Sequence, residues 1–365
     1  MKVSEKIPHG YLPTLDGWRA VAVLLVIFYH AIASLQLAYG RSMDPLLPVL
    51  HVGSVGVLIF FGISGVLITS RMLEEQSVRG RIDLKNFYIR RAFRILPPLL
   101  VLLAVLSLLA IFGDLPVTWP DRVRALFFAS NYGPEPDWYL AHTWSLSVEE
   151  HFYLFWPVFL ILLGWFRAII FCLCASVAVT IWRIADIHCM IIPTRVGFTV
   201  WRTDANLDFL LLGALAGCLL SRETTRSRLK QLLTPAATVG LLVSGLAVLM
   251  LQAYVPHFQH PVRIFEAVVI PFILLGTILN PRQLIGRILE WGWLRWLGRL
   301  SYSLYLWQQL FFPRADARSL ILGRLQDWPV NIVAALLCAV LSYHLVERPL
   351  IKIGHRLARP VTEGH

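Results

Sequence analysis

The charges of this chain are confined to short stretches between long apolar blocks, and the blocks approach or exceed the length a membrane helix needs. Crossing a hydrocarbon core about 30 Å thick takes roughly 17–25 apolar residues in a helix. Hydrophobic residues make up 57% of the 365 positions and charged residues 15%, against about 45–50% and about 25% in a soluble globular protein. Lipid is therefore the solvent to which most of this sequence is matched. The first block begins at Leu15, runs past signal-peptide length and carries Arg19 and His30, so it reads as a retained span and not as a cleaved leader.

Ten apolar segments are expected to cross, near 16–38, 53–70, 94–113, 144–164, 167–182, 206–221, 233–252, 262–280, 297–312 and 329–346. The fold class that follows is an all-α polytopic integral membrane protein of about ten transmembrane helices, forming a single domain over 1–365 with no appended soluble domain. Cytoplasmic loops collect Lys and Arg, and the basic clusters alternate as that count requires. Arg71, Arg79, Arg81, Lys85, Arg90, Arg91 and Arg94 follow the second segment, Arg222, Arg226, Arg228 and Lys230 the sixth, and Arg348, Lys352, Arg356 and Arg359 the last. Both termini are thus expected on the cytoplasmic side of a plasma (inner) membrane. The stretch from Asp114 to His142, with Asp114, Asp121, Glu135 and Asp137 against Arg122 and Arg124, reads as external. The 183–205 stretch is ambiguous, because Arg183, Arg195 and Arg202 outnumber Asp186 and Asp204.

A net charge of +11 raises nucleic acid as a partner, but the basic residues alternate with apolar blocks instead of forming one surface, so topology accounts for them and no nucleic acid is expected. The five cysteines lack zinc-type spacing and sit mostly in apolar blocks, so no metal or redox role is expected.

Three polar clusters lie within the apolar blocks, where an ionisable group costs on the order of 2.5–3.5 kcal/mol near the centre and is a functional candidate by default. The first is LDGWRAVAVLLVIFYH, with Asp16, Arg19 and His30. Eleven residues separate Arg19 from His30, close to three helical turns, so they share a face about 16 Å apart along the axis. The structural alternative is a snorkelling arginine and a packing histidine.

The second cluster is HTWSLSVEEHFYLFWP, beginning at His142. It enters from the external side and carries Ser145, Ser147, Glu149 and Glu150. Glu149 is expected at the depth of His30, where a carboxylate would orient an imidazole acting as general base. Pairing with a buried arginine is its alternative, and Glu150 is equally readable as a structural partner. The third is FYIRRAFRILPP, whose Arg91 and Arg94 stand on the first turns of a helix rising from the cytoplasm. Arginine forks at a helix start suit phosphate, although an anchor on anionic lipid is the competing reading. In addition, GVLIFFGISGVLITS offers small residues for close helix approach, and LGRLSYSLYLWQQLF carries a run of hydroxyls that aromatic anchoring does not explain.

Taken in order with FFGISGVLITS and the terminal ERP at Glu347 to Pro349, these segments resemble the membrane-bound acyltransferase-3 family, which O-acylates bacterial surface glycans and some antibiotics. The resemblance implies ten helices and an acyl-CoA donor, usually acetyl-CoA, with no permanently bound cofactor. It implies His30 as catalytic base; the polar clusters themselves add Glu149 as its orienting carboxylate, donor binding by Arg19, Arg91 and Arg94, and Asp16, Ser145, Ser147 and Glu150 as further candidates. The family's Ser-x-Glu falls on Ser147 and Glu149. His151 and Gln308 depart from its usual Gln and His. The implied acceptor is a hydroxyl of an envelope or exopolysaccharide sugar, with a small glycosylated metabolite such as a macrolide as alternative. A proton-coupled carrier is the rival from another class, disfavoured because no internal repeat is visible.

Overall fold

The computed structural model describes residues 12–39, 47–192, 201–254, 259–314 and 318–358. Among these the chain is helical throughout, with no strand. The helices are α1 (Pro13–Tyr39), α2 (Leu47–Arg79), α3 (Leu84–Ile111), α4 (Trp119–Leu126), α5 (Trp138–Ala141), α6 (Thr143–Cys189) and α7 (Leu207–Ser221). They continue with α8 (Glu223–Leu232), α9 (Pro235–Tyr254), α10 (Gln259–Leu279), α11 (Leu284–Leu289), α12 (Gly292–Phe311), α13 (Val330–Ser342) and α14 (Arg348–Leu357).

Six helices among the described residues are long and apolar enough to cross a membrane, or seven if the bent pair α8 and α9 is one span. The expectation of ten is not met by that measure, and three physical reasons are visible. The segments 144–164 and 167–182 run on as the 47-residue α6, broken at Gly164, where φ is 67°. That left-handed backbone suits a residue without a Cβ. The sixth segment became the 15-residue α7. The ninth is α12, which carries hydroxyls and amides along a buried face and so falls short on hydropathy.

The molecule is built the way a lipid-immersed bundle must be. Large apolar side chains face outward along α6, including Leu154, Phe155, Leu162, Phe166 and Ile181, while Ser145, Ser147, Arg183 and Asp186 on the same helix are buried. That is the inverse of a soluble helix, and it makes the chain a membrane protein. Helix α2 is the hub, packed against α1, α7 and α10. The small residues in its sequence do what was expected of them: a Cβ on Gly65 would stand 2.2 Å from the Leu210 carbonyl oxygen of α7. On α12, a Cβ on Gly298 would overlap the Asp16 carbonyl oxygen of α1, so these two backbones touch directly. Helix α3 begins at an N-cap, Asp83, whose carboxylate accepts from the Asn86 amide at 3.0 Å.

Contacts between loops sort the chain into two ends. Asp114, after α3, accepts from the amides of Leu320 at 2.6 Å and Ile321 at 3.0 Å, after α12. Asn131 donates to Thr203 at 2.8 Å and Tyr132 to Asp204 at 3.2 Å. The ambiguous 183–205 stretch, through Thr203 and Asp204 at its end, therefore meets the 114–142 stretch. Its arginines misled the charge count because they are internal: Arg183 pairs with Asp208 at 2.8 Å and Arg202 with Asp186 at 2.8 Å, each partner 1% exposed. Arg202 also pairs with Asp204. Arg195 lies outside the described residues. At the other end, Gly354 of α14 packs on Phe93 of α3.

Candidate active site

Helices α1, α2, α3, α6 and α12 enclose a cavity of about 130 Å³. Its charged wall consists of Arg19 from α1, Arg91 and Arg94 from α3 and Glu149 from α6. The hydroxyl wall consists of Ser64, Ser145, Tyr153, Ser301, Tyr302 and Tyr305. The candidates of three separate polar clusters are thus brought together, which sequence separation could not show. The unexplained hydroxyls of α12 also find their place: Ser301, Tyr302 and Tyr305 line this cavity, and Tyr302 donates to the Ile95 carbonyl at 2.9 Å. Ser303 turns to Glu347 instead, donating at 2.7 Å.

The four cations and anions are not equivalent. Arg91 donates twice to Glu150, at 2.7 and 3.1 Å, stands 4.0 Å from Glu149 and lies 3.2 Å over the Tyr153 ring. Its Nε and Nη2 are thus engaged by one carboxylate oxygen of Glu150, while Arg91 still lines the cavity. Arg19 pairs with Asp16 of its own helix at 3.1 Å. Arg94 forms no ion pair or hydrogen bond among the described residues; Arg19, Arg91 and the buried Glu347 are its charged neighbours. Glu347, in the terminal ERP, is a member of the site that residue patterning did not single out, and its signal was a carboxylate buried in the last apolar segment.

His30 is not where Glu149 is. Glu149 accepts from Ser64 at 3.1 Å and Tyr153 at 3.4 Å. His30 packs edge-on against Trp138 at 5.6 Å and Tyr29 at 5.0 Å. Beside it stand Gln308 and the Val26 carbonyl, neither in hydrogen-bonding geometry with its buried Nδ1. The expected carboxylate and imidazole pair is not formed: among the described residues Glu149 faces Ser64 of α2 and Arg91 of α3, and no hydrogen bond or ion pair joins it to His30. The residue of that motif which does approach His30 is His142, its electrostatic neighbour. His142 is connected to the cavity through Tyr305, whose hydroxyl donates to the His142 carbonyl at 2.9 Å and meets Ser145 Oγ at 2.5 Å. Ser147 is buried on another face, its hydroxyl returned to the Thr143 carbonyl at 2.9 Å.

The cavity thus presents cations and hydroxyls, while His30 and His142 stand outside its lining. Among the described residues no three His, Cys, Asp or Glu side chains are placed to hold a metal. A family model described as an acyltransferase domain matches residues 12–345, nearly the whole chain and every residue that lines this cavity. The chain belongs to the acyltransferase-3 family. It is 28% identical over 386 residues to the peptidoglycan O-acetyltransferase OatA of Listeria monocytogenes, covering 97% of this chain and 58% of that protein. It is 29% identical over 377 residues to the putative peptidoglycan O-acetyltransferase YrhL of Bacillus subtilis, covering 95% and 56%. A putative O-acetyltransferase of Staphylococcus aureus is 29% identical over 379 residues, covering 94% and 58%. The chain spans somewhat more than half the length of these curated relatives. No solved structure matches it.

Proposed function

We propose that this acyltransferase moves an acyl group, acetyl first among the candidates, from a cytoplasmic acyl-CoA to a carbohydrate hydroxyl presented from the opposite side of the plasma membrane. The observation that carries the reading is Arg94, a cation with no ion pair or hydrogen bond among the described residues, facing a cavity whose wall includes Tyr305, the donor to the His142 carbonyl. A positive charge held off its counter-ion in a low-dielectric site is costly and favours an anionic ligand. Arg94 and Arg19 are assigned to the CoA phosphates, and Arg91, held by Glu150, to the shape of the wall. In this reading the chain threads the bilayer ten times, with α6 crossing once on each side of Gly164 and α7 and α12 crossing as well. Both termini then face the cytoplasm. The relatives are named for peptidoglycan, which makes a cell-wall glycan the first acceptor to try.

The thioester carbonyl is brought toward His30. Its imidazole removes the proton of the acceptor hydroxyl as the oxygen attacks that carbonyl carbon. The carbon–sulfur bond then breaks, and the CoA sulfur leaves with the proton returned from the imidazolium. Glu149 is assigned to the cavity wall, where it holds Ser64 and Tyr153.

The test is acetyl-CoA binding and turnover by the full chain in nanodiscs. Arg94→Ala is expected to weaken acetyl-CoA binding by about 10–100-fold, the value of a charge-assisted contact. His30→Ala should bind normally and lose turnover by about 10²–10⁴-fold, the usual weight of a general base. Failure of the wild type to bind any acyl-CoA would discard the donor assignment and bring the proton-coupled carrier forward.

A further inference from the structure

Next to His30 the structure holds a set of buried polar atoms with no hydrogen-bond partner among the described residues. They are His142 Nε2 and both side-chain polar atoms of Gln308. His142 is 4% exposed and Gln308 0%. Buried polar groups are almost always paired, so three such atoms beside one histidine call for a ligand.

The protonation pattern of His142 follows from its surroundings. The backbone N–H of His142 donates to the Gln309 side chain at 3.1 Å. A backbone N–H only donates, so the atom it meets must be the amide oxygen, whichever way the amide is built. That same oxygen meets His142 Nδ1, and Nδ1 must therefore carry the hydrogen. Nε2 is left as a bare lone pair. The Leu306 carbonyl lies near the ring without reaching hydrogen-bond geometry at Nε2. Gln308, whose amide offers two donors and an acceptor, is the neighbour of His30 from α12, one residue before the glutamine that fixes His142.

We propose that His142 and Gln308 form the acceptor subsite: His142 Nε2 receives a hydrogen bond from one hydroxyl of the acceptor, while the Gln308 amide engages a neighbouring hydroxyl or amide. The ligand class is a polyhydroxylated sugar. A set that mixes a lone pair, an amide oxygen and an amide N–H matches groups that both donate and accept on adjacent carbons, and a single alcohol leaves part of it unpaired. Gln309 is a positioning residue, acting through the tautomer of His142. The inference rests on the reading that an acceptor hydroxyl meets His30, and it goes further by saying what selects that acceptor.

The experiment is calorimetric binding of chitotriose to the full chain in nanodiscs, with acetyl-CoA binding measured in parallel as the control for folding. The variants are His142→Phe, His142→Gln, Gln308→Leu and Gln309→Leu. His142→Phe and Gln308→Leu are each expected to weaken chitotriose binding about tenfold, the size of one buried hydrogen bond. His142→Gln places an oxygen near the position of Nε2 and should recover most of that loss. Gln309→Leu should give an intermediate loss. Unchanged chitotriose affinity in both His142→Phe and Gln308→Leu would overturn the subsite. So would equal losses in His142→Gln and His142→Phe, the mark of a packing role, and so would absence of chitotriose binding by the wild type. If chitotriose binding depends on His142 while no acyl-CoA binds, the subsite stands and the donor reading alone is lost.

Discussion

Two groups of buried arginines in this molecule contain the same chemistry and do opposite things. Around α6 and α7, Arg183 meets Asp208 while Arg202 meets Asp186 and Asp204, with further bonds from Arg183 to the Ala205 carbonyl at 2.7 Å and from Trp182 to Asp204 at 2.6 Å. Arg183 and Arg202 are each paired with a carboxylate, and the network ties α6 to α7; Arg263 of α10, beside them, donates to the Asn206 amide oxygen instead. Around the cavity, Arg91 is likewise paired with a carboxylate, but Arg94 is not. The difference teaches that two arginines one helical turn apart in one motif can stand in unlike surroundings, one engaged by a carboxylate and the other facing a space.

The comparison is easiest to break at the saturated end. Removing one partner of a buried ion pair leaves the other charge stranded, at a cost of about 3–5 kcal/mol. Arg202→Ala is therefore expected to lower thermal stability by about that amount, read by fluorescence-detected unfolding in detergent, with Asp186→Ala behaving alike. Stability within about 1 kcal/mol of wild type would show that these pairs are dispensable and that the contrast with Arg94 is false.

Next in size is Glu150→Gln. It keeps the volume but removes the charge that holds Arg91, and a hydrogen bond to a charged group contributes about 1.5–3 kcal/mol. A loss of stability in that range, with acetyl-CoA affinity weakened less than in Arg94→Ala, would sharpen the division between scaffold and ligand-binding arginines. A larger affinity loss than in Arg94→Ala would reverse it.

The smallest effect belongs to the loops that follow α3 and α12, where the partly exposed Asp114 offers a contrast. Partial desolvation works to raise its carboxyl, but hydrogen bonds from Ser319 and the amides of Ile321 and Leu320 outweigh that and hold it below its ordinary value of 3.8. A carboxylate with a depressed folded value contributes stability that is fully present above its unfolded value and is lost as pH falls through the folded one. Stability should thus be flat from neutral pH down to about pH 5 at this site, then decline below about pH 4. Asp114→Asn should remove that part of the decline. A wild type and variant with superimposable acid profiles would show that the staple between the two loops carries no weight.

Much of the site was legible in the sequence because intramembrane charge is expensive and therefore rare: Arg19, Arg91, Arg94 and Glu149 were singled out on that ground and all four line one cavity. His30 was singled out for the same reason, yet its partner was misassigned. Depth along a helix follows from counting residues at about 1.5 Å each, whereas the direction a side chain faces depends on how the helices are rotated against one another. His142 sits at the junction of α5 and α6, where the helical phase changes, so no periodicity connected it to His30. Arg183 and Arg202 left the charge count of 183–205 ambiguous for a related reason, since charge counting assumes that a loop charge is in water and these two are buried in ion pairs.

What the sequence determined by itself is the solvent and the material: apolar blocks that demand lipid, helices that satisfy their own backbones there, and a short roster of polar residues costly enough to need a purpose. What only the tertiary structure decided is pairing. Ser64 reaches Glu149 across 85 residues and His142 reaches Gln309 across 167. In a medium that offers a stranded charge no water, whether an arginine or a histidine is scaffold or chemistry is settled by which side chains a distant helix happens to bring beside it.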